Sequence, residues 1–157
     1  MSRLVTIKPS IRFILDGKEV KGRPGETIIQ VADRYGIYIP RFCYHERLSI
    51  AANCRMCLVQ VNQGSKTQPA CHFPIVEGME VCTRSKATKH SQKAVMEFLL
   101  INHPLDCPIC DQGGQCDLQD LAIAFGRGVS RYYERKRTVV DDNLGSLVQT
   151  DMTRCIH

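Results

Sequence analysis

Four cysteines, Cys43, Cys54, Cys57 and Cys71, stand in the pattern C-x10-C-x2-C-x13-C. Thiolates are soft donors that suit iron–sulfur clusters or zinc. The C-x2-C pair places two sulfurs on one tight loop, and the outer two cysteines approach it from either side. A two-iron cluster requires four thiolates, and four are present. Zinc is the alternative occupant. The uneven spacing, in place of two C-x2-C pairs, weighs against it.

The plant-type ferredoxin spacing is C-x4-C-x2-C with a distant fourth cysteine. This chain keeps the C-x2-C and the distant cysteine but has ten residues in its first interval. Residues 44–53 therefore read as an insertion in that spacing.

A second group, Cys107, Cys110 and Cys116, has the form C-x2-C-x5-C. Three ligands complete neither a tetrahedral site nor a cubane. Candidates for the fourth are His103, Cys82, Cys155 and Asp106. His103 closes a local set, H-x3-C-x2-C-x5-C, with Pro104 fixing the turn after it. Gly113-Gly114 lets the backbone wrap closely around a bulky inorganic core. A neutral imidazole in place of a thiolate removes one negative charge and raises the potential, as in Rieske centres. Zinc with Cys3His competes for this site too. Cys82 alternates with polar neighbours and reads as a buried structural thiol. His45 and His72 lie next to cysteines of the first group, where they could orient ligands.

Elements must hold these residues in place. Residues 11–15 alternate as a strand, Asp16-Gly17 is a hairpin signal, and 18–22 is the return strand. Thr27 is the expected N-cap of a helix carrying Ile28, Ile29, Val31, Ala32 and Tyr35, with Gly36 at its C-terminal end. A strand after that helix is expected to lead into Cys43, and Leu58-Val59-Gln60-Val61 reads as another strand. Residues 84–102 are helical in pattern, with Ala94, Val95, Phe98, Leu99 and Ile101 as the apolar face, and His103-Pro104 ends them. A short helix over 118–125 stops at Gly126. Residues 127–150 read as a connecting segment with some β content. The order predicts a small α+β sheet crossed by one helix.

The 157 residues suit one medium domain or two small ones. No apolar run is long enough to span a bilayer. The start, Met1 to Val5, lacks the features of a secretory signal or transit peptide, so a reducing compartment is expected and a disulfide framework for the nine cysteines is not. The net charge of +5 is dispersed except at 131–137. Two cluster charges of about −2 and about −1 would nearly neutralise it, so nucleic acid is not an expected partner. No residue reads as an acid–base catalyst, and no G-x-G-x-x-G follows a strand, so nucleotide binding by the chain itself is not expected.

Three blocks carry a family resemblance. They are Phe42-Cys43-Tyr44-His45-Glu46-Arg47-Leu48-Ser49, Asn53-Cys54-Arg55-Met56-Cys57-Leu58-Val59, and the run from Asn102-His103-Pro104-Leu105-Asp106-Cys107 through Cys110 to Cys116-Asp117-Leu118-Gln119-Asp120. From about residue 10 the chain resembles the large iron–sulfur subunit of respiratory complex I, which is the G-type subunit of bacterial NADH–quinone oxidoreductase and the 75-kDa-type subunit of mitochondria. The resemblance implies a β-grasp, 2Fe-2S ferredoxin-like domain over 10–88, with Cys43, Cys54, Cys57 and Cys71 as cluster ligands. It implies a small helical 4Fe-4S domain over 89–128, held by His103, Cys107, Cys110 and Cys116. Residues 129–157 would be a connecting segment and the start of a further 4Fe-4S domain of molybdopterin-oxidoreductase type. There Met152-Thr153-Arg154-Cys155-Ile156 would supply Cys155 as the first ligand of a third cluster that this chain does not complete, and the chain reads as the front of something longer.

The function implied is electron relay from NADH, through a flavin on a partner subunit, toward quinone. The partners implied are other subunits of a peripheral arm, on the cytoplasmic face of a bacterial inner membrane or the matrix side in mitochondria, with no transmembrane segment in this chain. Electron-transfer modules of NAD-linked hydrogenases, formate dehydrogenases and iron-only hydrogenases are the second reading. A zinc-stabilised interaction module and a diffusible ferredoxin are the others.

Overall fold

The structure is a computed structural model and describes residues 10–156. The expectations drawn from Met1 to Val5 lie outside the described residues.

The first half is built on a hairpin. Strand β1 (Ile11–Leu15) pairs antiparallel with β2 (Lys18–Gly22). Asp16 and Gly17 both take positive φ, 49° and 81°, as a two-residue turn that matches strand twist requires. Phe13, Leu15 and Val20 point inward and are buried. The intervening Arg12, Ile14 and Glu19 are exposed, which is the period-two pattern of a half-buried sheet.

Helix α1 (Ile28–Arg34) starts at Thr27, whose N–H donates to Gln30 Oε1 at 2.9 Å. It ends in a Schellman arrangement: Ile37 N–H reaches Ala32 O at 2.9 Å and Gly36 N–H reaches Asp33 O at 3.0 Å. Gly36 has φ +69°, so it lies one residue past the cap residue Tyr35 and takes the left-handed position there. Ile28, Ile29, Val31 and Ala32 are buried with the inward side chains of the sheet. Each such Ile or Val contributes about 1.5–3 kcal/mol.

Strands β3 (Leu58–Val61), β4 (Thr67–Pro69) and β5 (Glu80–Cys82) complete a five-stranded sheet of order β2-β1-β5-β3-β4. β5 runs parallel to β1 and antiparallel to β3. This is the expected α+β, β-grasp fold. Residues 37–42 form no strand, contrary to the expectation of one leading into Cys43.

Helix α2 (Lys86–Asn102) follows. Ser85 Oγ accepts the Thr88 N–H at 3.1 Å and closes its first turn. Two compact units divide within α2, between residues 91 and 92. In the second unit a short 3-10 helix, Cys107–Ile109, precedes α3 (Asp117–Phe125), and another, Met152–Arg154, comes near the end. Two expectations are corrected here. Phe98, assigned to the apolar face of α2, is 74% exposed, whereas Met96 is fully buried. Residues 127–150 contain no strand.

Candidate metal centres

The first centre lies where three loops meet. Cys43 follows α1, Cys54 and Cys57 precede β3, and Cys71 follows β4. Asp33 of α1 fixes the first loop. It takes the guanidinium of Arg41 through two bonds of 2.6 and 2.5 Å. Arg41 also lies over the rings of Tyr38 and Tyr44, 5.7 and 5.5 Å from their centroids. The chain either side of Cys43 is therefore clamped to the helix. Ala52 and Arg55 flank Cys54 with φ of 52° and 59°. Two non-glycine residues in the left-handed region mark a loop held against local preference, as functional loops often are.

The four thiols come together as two pairs. Those of Cys43 and Cys54 are hydrogen-bonded, and so are those of Cys57 and Cys71. Cys71 also feels the charges of Cys57, Cys43 and Cys54. Cys54, Cys57 and Cys71 are buried, and Cys43 is partly exposed. Cys57 is held down to about 7 by its hydrogen bond from Cys71, against burial and with help from backbone N–H groups including that of Ala70. Cys71 is pushed up, first by that same bond to Cys57 and then by burial. Burial pushes Cys54 up, while backbone groups of Cys43, Met56 and Phe42 oppose it. Backbone N–H groups aimed at sulfur favour thiolate. Two such pairs within electrostatic reach of each other suit a centre with two metal atoms. Among the described residues no group of three or more His, Cys, Asp or Glu is set around a single ion.

The second centre is a cavity of about 460 Å³ in the second unit, lined by His103, Cys107, Cys110 and Cys116, with Gly113 and Arg154. His103 stands just past the last turn of α2, where Pro104 ends the helix. Its Nδ1 is buried without a hydrogen-bond partner. Burial, then the charge of Lys136, lowers its pKa, and Asp106 opposes them. Burial and Lys136 both favour the neutral imidazole, the form whose ring nitrogen can donate a lone pair. At Gly113 an added Cβ would lie 2.7 Å from Cys107 O, so the loop wraps closer than any side chain allows. A soft donor set, an orphaned ring nitrogen and a glycine cradle fit a bulky inorganic cluster.

The basic segment at 131–137 folds back on α2. Arg131 makes two 2.6 Å bonds to Glu97. Lys136 donates to the carbonyls of Leu100 and Ile101 at 2.8 and 3.0 Å, where a cation satisfies the orphan acceptors of a helix end. Arg131 and Lys136 are thus both engaged within the fold.

Cys155 is exposed and lines a separate cavity with His103, Phe98 and Val139. Cys82 sits in β5 and is only partly buried, so its reading as a buried structural thiol is corrected. His72 is exposed, and His45 Nδ1 accepts the Arg47 N–H at 3.2 Å. The spacing singled out neither Arg41, which clamps the first centre, nor Arg154, which lines the second. A guanidinium's role depends on partners that only the fold supplies.

Residues 8–86 match the family described as "2Fe-2S iron-sulfur cluster binding domain". The chain belongs to that family. This 2Fe-2S family member also matches, over residues 92–131, the "NADH-ubiquinone oxidoreductase-G iron-sulfur binding region", a 4Fe-4S type. It therefore carries both a two-iron and a four-iron binding region.

Among its relatives, the NADH-ubiquinone oxidoreductase 75 kDa subunit of Reclinomonas americana is 53% identical over 94% of the chain. The mitochondrial NADH dehydrogenase (ubiquinone) iron-sulfur protein 1 of Solanum tuberosum is 56% identical over 93%. The G-type NADH-quinone oxidoreductase subunit of Rickettsia typhi is 51% identical over 93%. The chain spans about a fifth of their length, 20–22%. A solved NAD+-reducing nickel–iron hydrogenase, in the H2-reduced state, superposes with a TM-score of 0.84 at 30% identity, covering 94% of this chain and 62% of that one.

Proposed function

We propose that this chain is an electron-relay module of an NADH–quinone oxidoreductase. Cys43, Cys54, Cys57 and Cys71 hold a 2Fe-2S cluster, and His103, Cys107, Cys110 and Cys116 hold a 4Fe-4S cluster. The observation that carries the reading is the gathering of four thiols into two hydrogen-bonded pairs, within electrostatic reach of each other, inside a sheet-and-helix frame. Relatives named for NADH–quinone oxidoreductase supply the context. When bound, such clusters accept and release single electrons.

The protein's own work is to set distance, burial and charge. Buried Cys57 and Cys71 exclude water from one side of the first centre, and backbone N–H groups stabilise sulfur charge there. His103 brings a neutral donor to the second centre. Cys155 is the proposed first ligand of a further 4Fe-4S cluster in a longer protein. Domains of 10–88 and 89–128, followed by the segment 129–157, are part of the same reading.

The proposed partners are peripheral-arm subunits, including one that carries flavin. The proposed setting is the cytoplasmic face of a bacterial inner membrane, or the matrix side of a mitochondrial one. Among the described residues no helix is long and apolar enough to cross a membrane. The hydrogenase likeness favours a second reading, an NAD-linked hydrogenase module. Co-purification distinguishes them, because one has quinone-reactive partners and the other a nickel subunit.

Anaerobically purified protein should be brown and hold about six iron per chain. His103→Cys should alter the four-iron EPR signal and leave the two-iron signal unchanged. Colourless protein containing zinc would overturn the reading.

A further inference from the structure

Arg154 lines the same cavity as His103, Cys107, Cys110 and Cys116. It reaches that wall from a segment far along the chain. The short helix Met152–Arg154 is pinned first. Met152 N–H donates to Asp141 Oδ1 at 2.7 Å, and Thr153 Oγ1 exchanges hydrogen bonds with the Val139 backbone at 3.1 and 3.2 Å.

The guanidinium is then held from two sides. Its Nε and Nη2 each lie 3.3 Å from Asp106 Oδ2, and Nε lies 2.8 Å from Asp151 Oδ2. Asp106 immediately precedes Cys107, so the cation is tied to the backbone that carries the ligands. The Arg154 side chain is 26% exposed, less than either carboxylate at 39% and 40%. Desolvation works against its charge, but the Asp106 bond and the charges of Asp151, Cys110 and Asp106 more than offset it. The Cys110 sulfur is thus within its electrostatic reach.

The plain alternative is a half-exposed ion pair that only fastens the 152–154 helix to the cysteine loop, and such pairs are worth little. Position separates the two. A fastening pair has no need to face the cavity, whereas Arg154 forms part of its wall together with the four proposed ligands. A group held there gains one negative charge on reduction. A fixed cation nearby stabilises the reduced form more than the oxidised form, and a fixed anion does the reverse.

We propose that Arg154 is a positioning residue that raises the midpoint potential of the four-iron centre, with Asp106 acting in the opposite sense. The inference rests on the proposal that His103, Cys107, Cys110 and Cys116 hold that centre. Removing Arg154 leaves Asp106 and Asp151 uncompensated beside the ligands. Removing the charge of Asp106 leaves Arg154 less screened.

The test is an EPR-monitored redox titration of the full chain with both clusters loaded, following the four-iron and two-iron signals separately. Arg154→Gln should move the four-iron midpoint down and leave the two-iron midpoint in place. Arg154→Lys should restore most of the shift, and Asp106→Asn should move the midpoint up. Opposite signs at the two ends of one ion pair are what charge tuning produces. A structural fastening predicts the same direction for both, because either change breaks the same contact. Equal shifts, or a four-iron midpoint unmoved in all three variants, would overturn the inference. Should Arg154→Gln fail to load iron, the Lys and Asn variants decide it by the same criterion. A wild-type chain with no four-iron signal would sink the ligand assignment itself, a failure distinct from an intact signal whose potential does not respond.

Discussion

Gly113 sets how tightly the second cysteine loop can close. Besides its 2.7 Å approach to Cys107 O, an added Cβ would come within 3.0 Å of Cys110 O. Both neighbours are backbone and cannot swing aside. Gly113→Ala should therefore open the loop and release the four-iron centre. Iron should fall from about six to about two per chain, with the two-iron EPR signal retained. Gly128→Ala is the control, because a Cβ there meets nothing within 4 Å. Unchanged iron content in the Gly113 variant would show that the loop adapts. The two cluster-binding regions were legible in the sequence because clustered cysteines announce donor chemistry by residue type and interval alone. Arg41 and Arg154 were not legible. An arginine looks the same whether it meets solvent or a ligand loop, and contacts such as Arg41 with Asp33 exist only after α1 and the Cys43 loop have come together.

Among the elements, Glu26 joins β2 to α1. Its carboxylate takes Arg34 through two 2.8 Å bonds and the Arg23 N–H at 2.8 Å, while Arg34 also reaches Lys21 O at 3.1 Å. The Arg34 bond is the main reason its pKa falls from 4.5 to about 2. A depressed carboxylate pKa gives stability that is fully present above the unfolded value and fades as pH drops toward the folded one. Wild type should exceed Glu26→Gln by about 1 kcal/mol at pH 7, after allowance for solvent screening. The gap should narrow below pH 4.5 and vanish near pH 2. Urea midpoints of both proteins between about pH 7 and 3 check this, and a pH-independent gap would refute it. Long periodic elements were readable: β1, β2, β3, α1, α2 and α3 all lie where apolar spacing and caps put them. β4 and β5 were missed because three residues carry no usable period, and their pairing is fixed by β3 and β1 rather than by their own side chains. Phe98 misled because helical spacing shows which residues share a face, not whether anything covers it.

At the scale of the whole molecule the apolar core is unevenly shared. Beyond residue 91 the buried apolar residues among those described are only Met96, Leu118 and Leu121, whereas the first unit buries a continuous cluster from Phe13 to Val81. A segment with so little apolar burial is expected to draw much of its order from the group it binds, since binding free energy then serves as folding free energy. Stripping iron with a chelator should make residues 92–156 cleavable by protease while 10–82 stays protected. Equal cleavage of both would count against this. The sheet order carries a consequence in time. β5 occupies the middle, and neither β1 nor β2 pairs with β3 or β4. As the chain is synthesised, no strand can pair with both outer hairpins until residue 82 emerges, and long-range pairing of this kind is slow. Cys43, Cys54, Cys57 and Cys71 have all emerged by then. All four thiols therefore precede, in chain order, the strand that completes the frame around them.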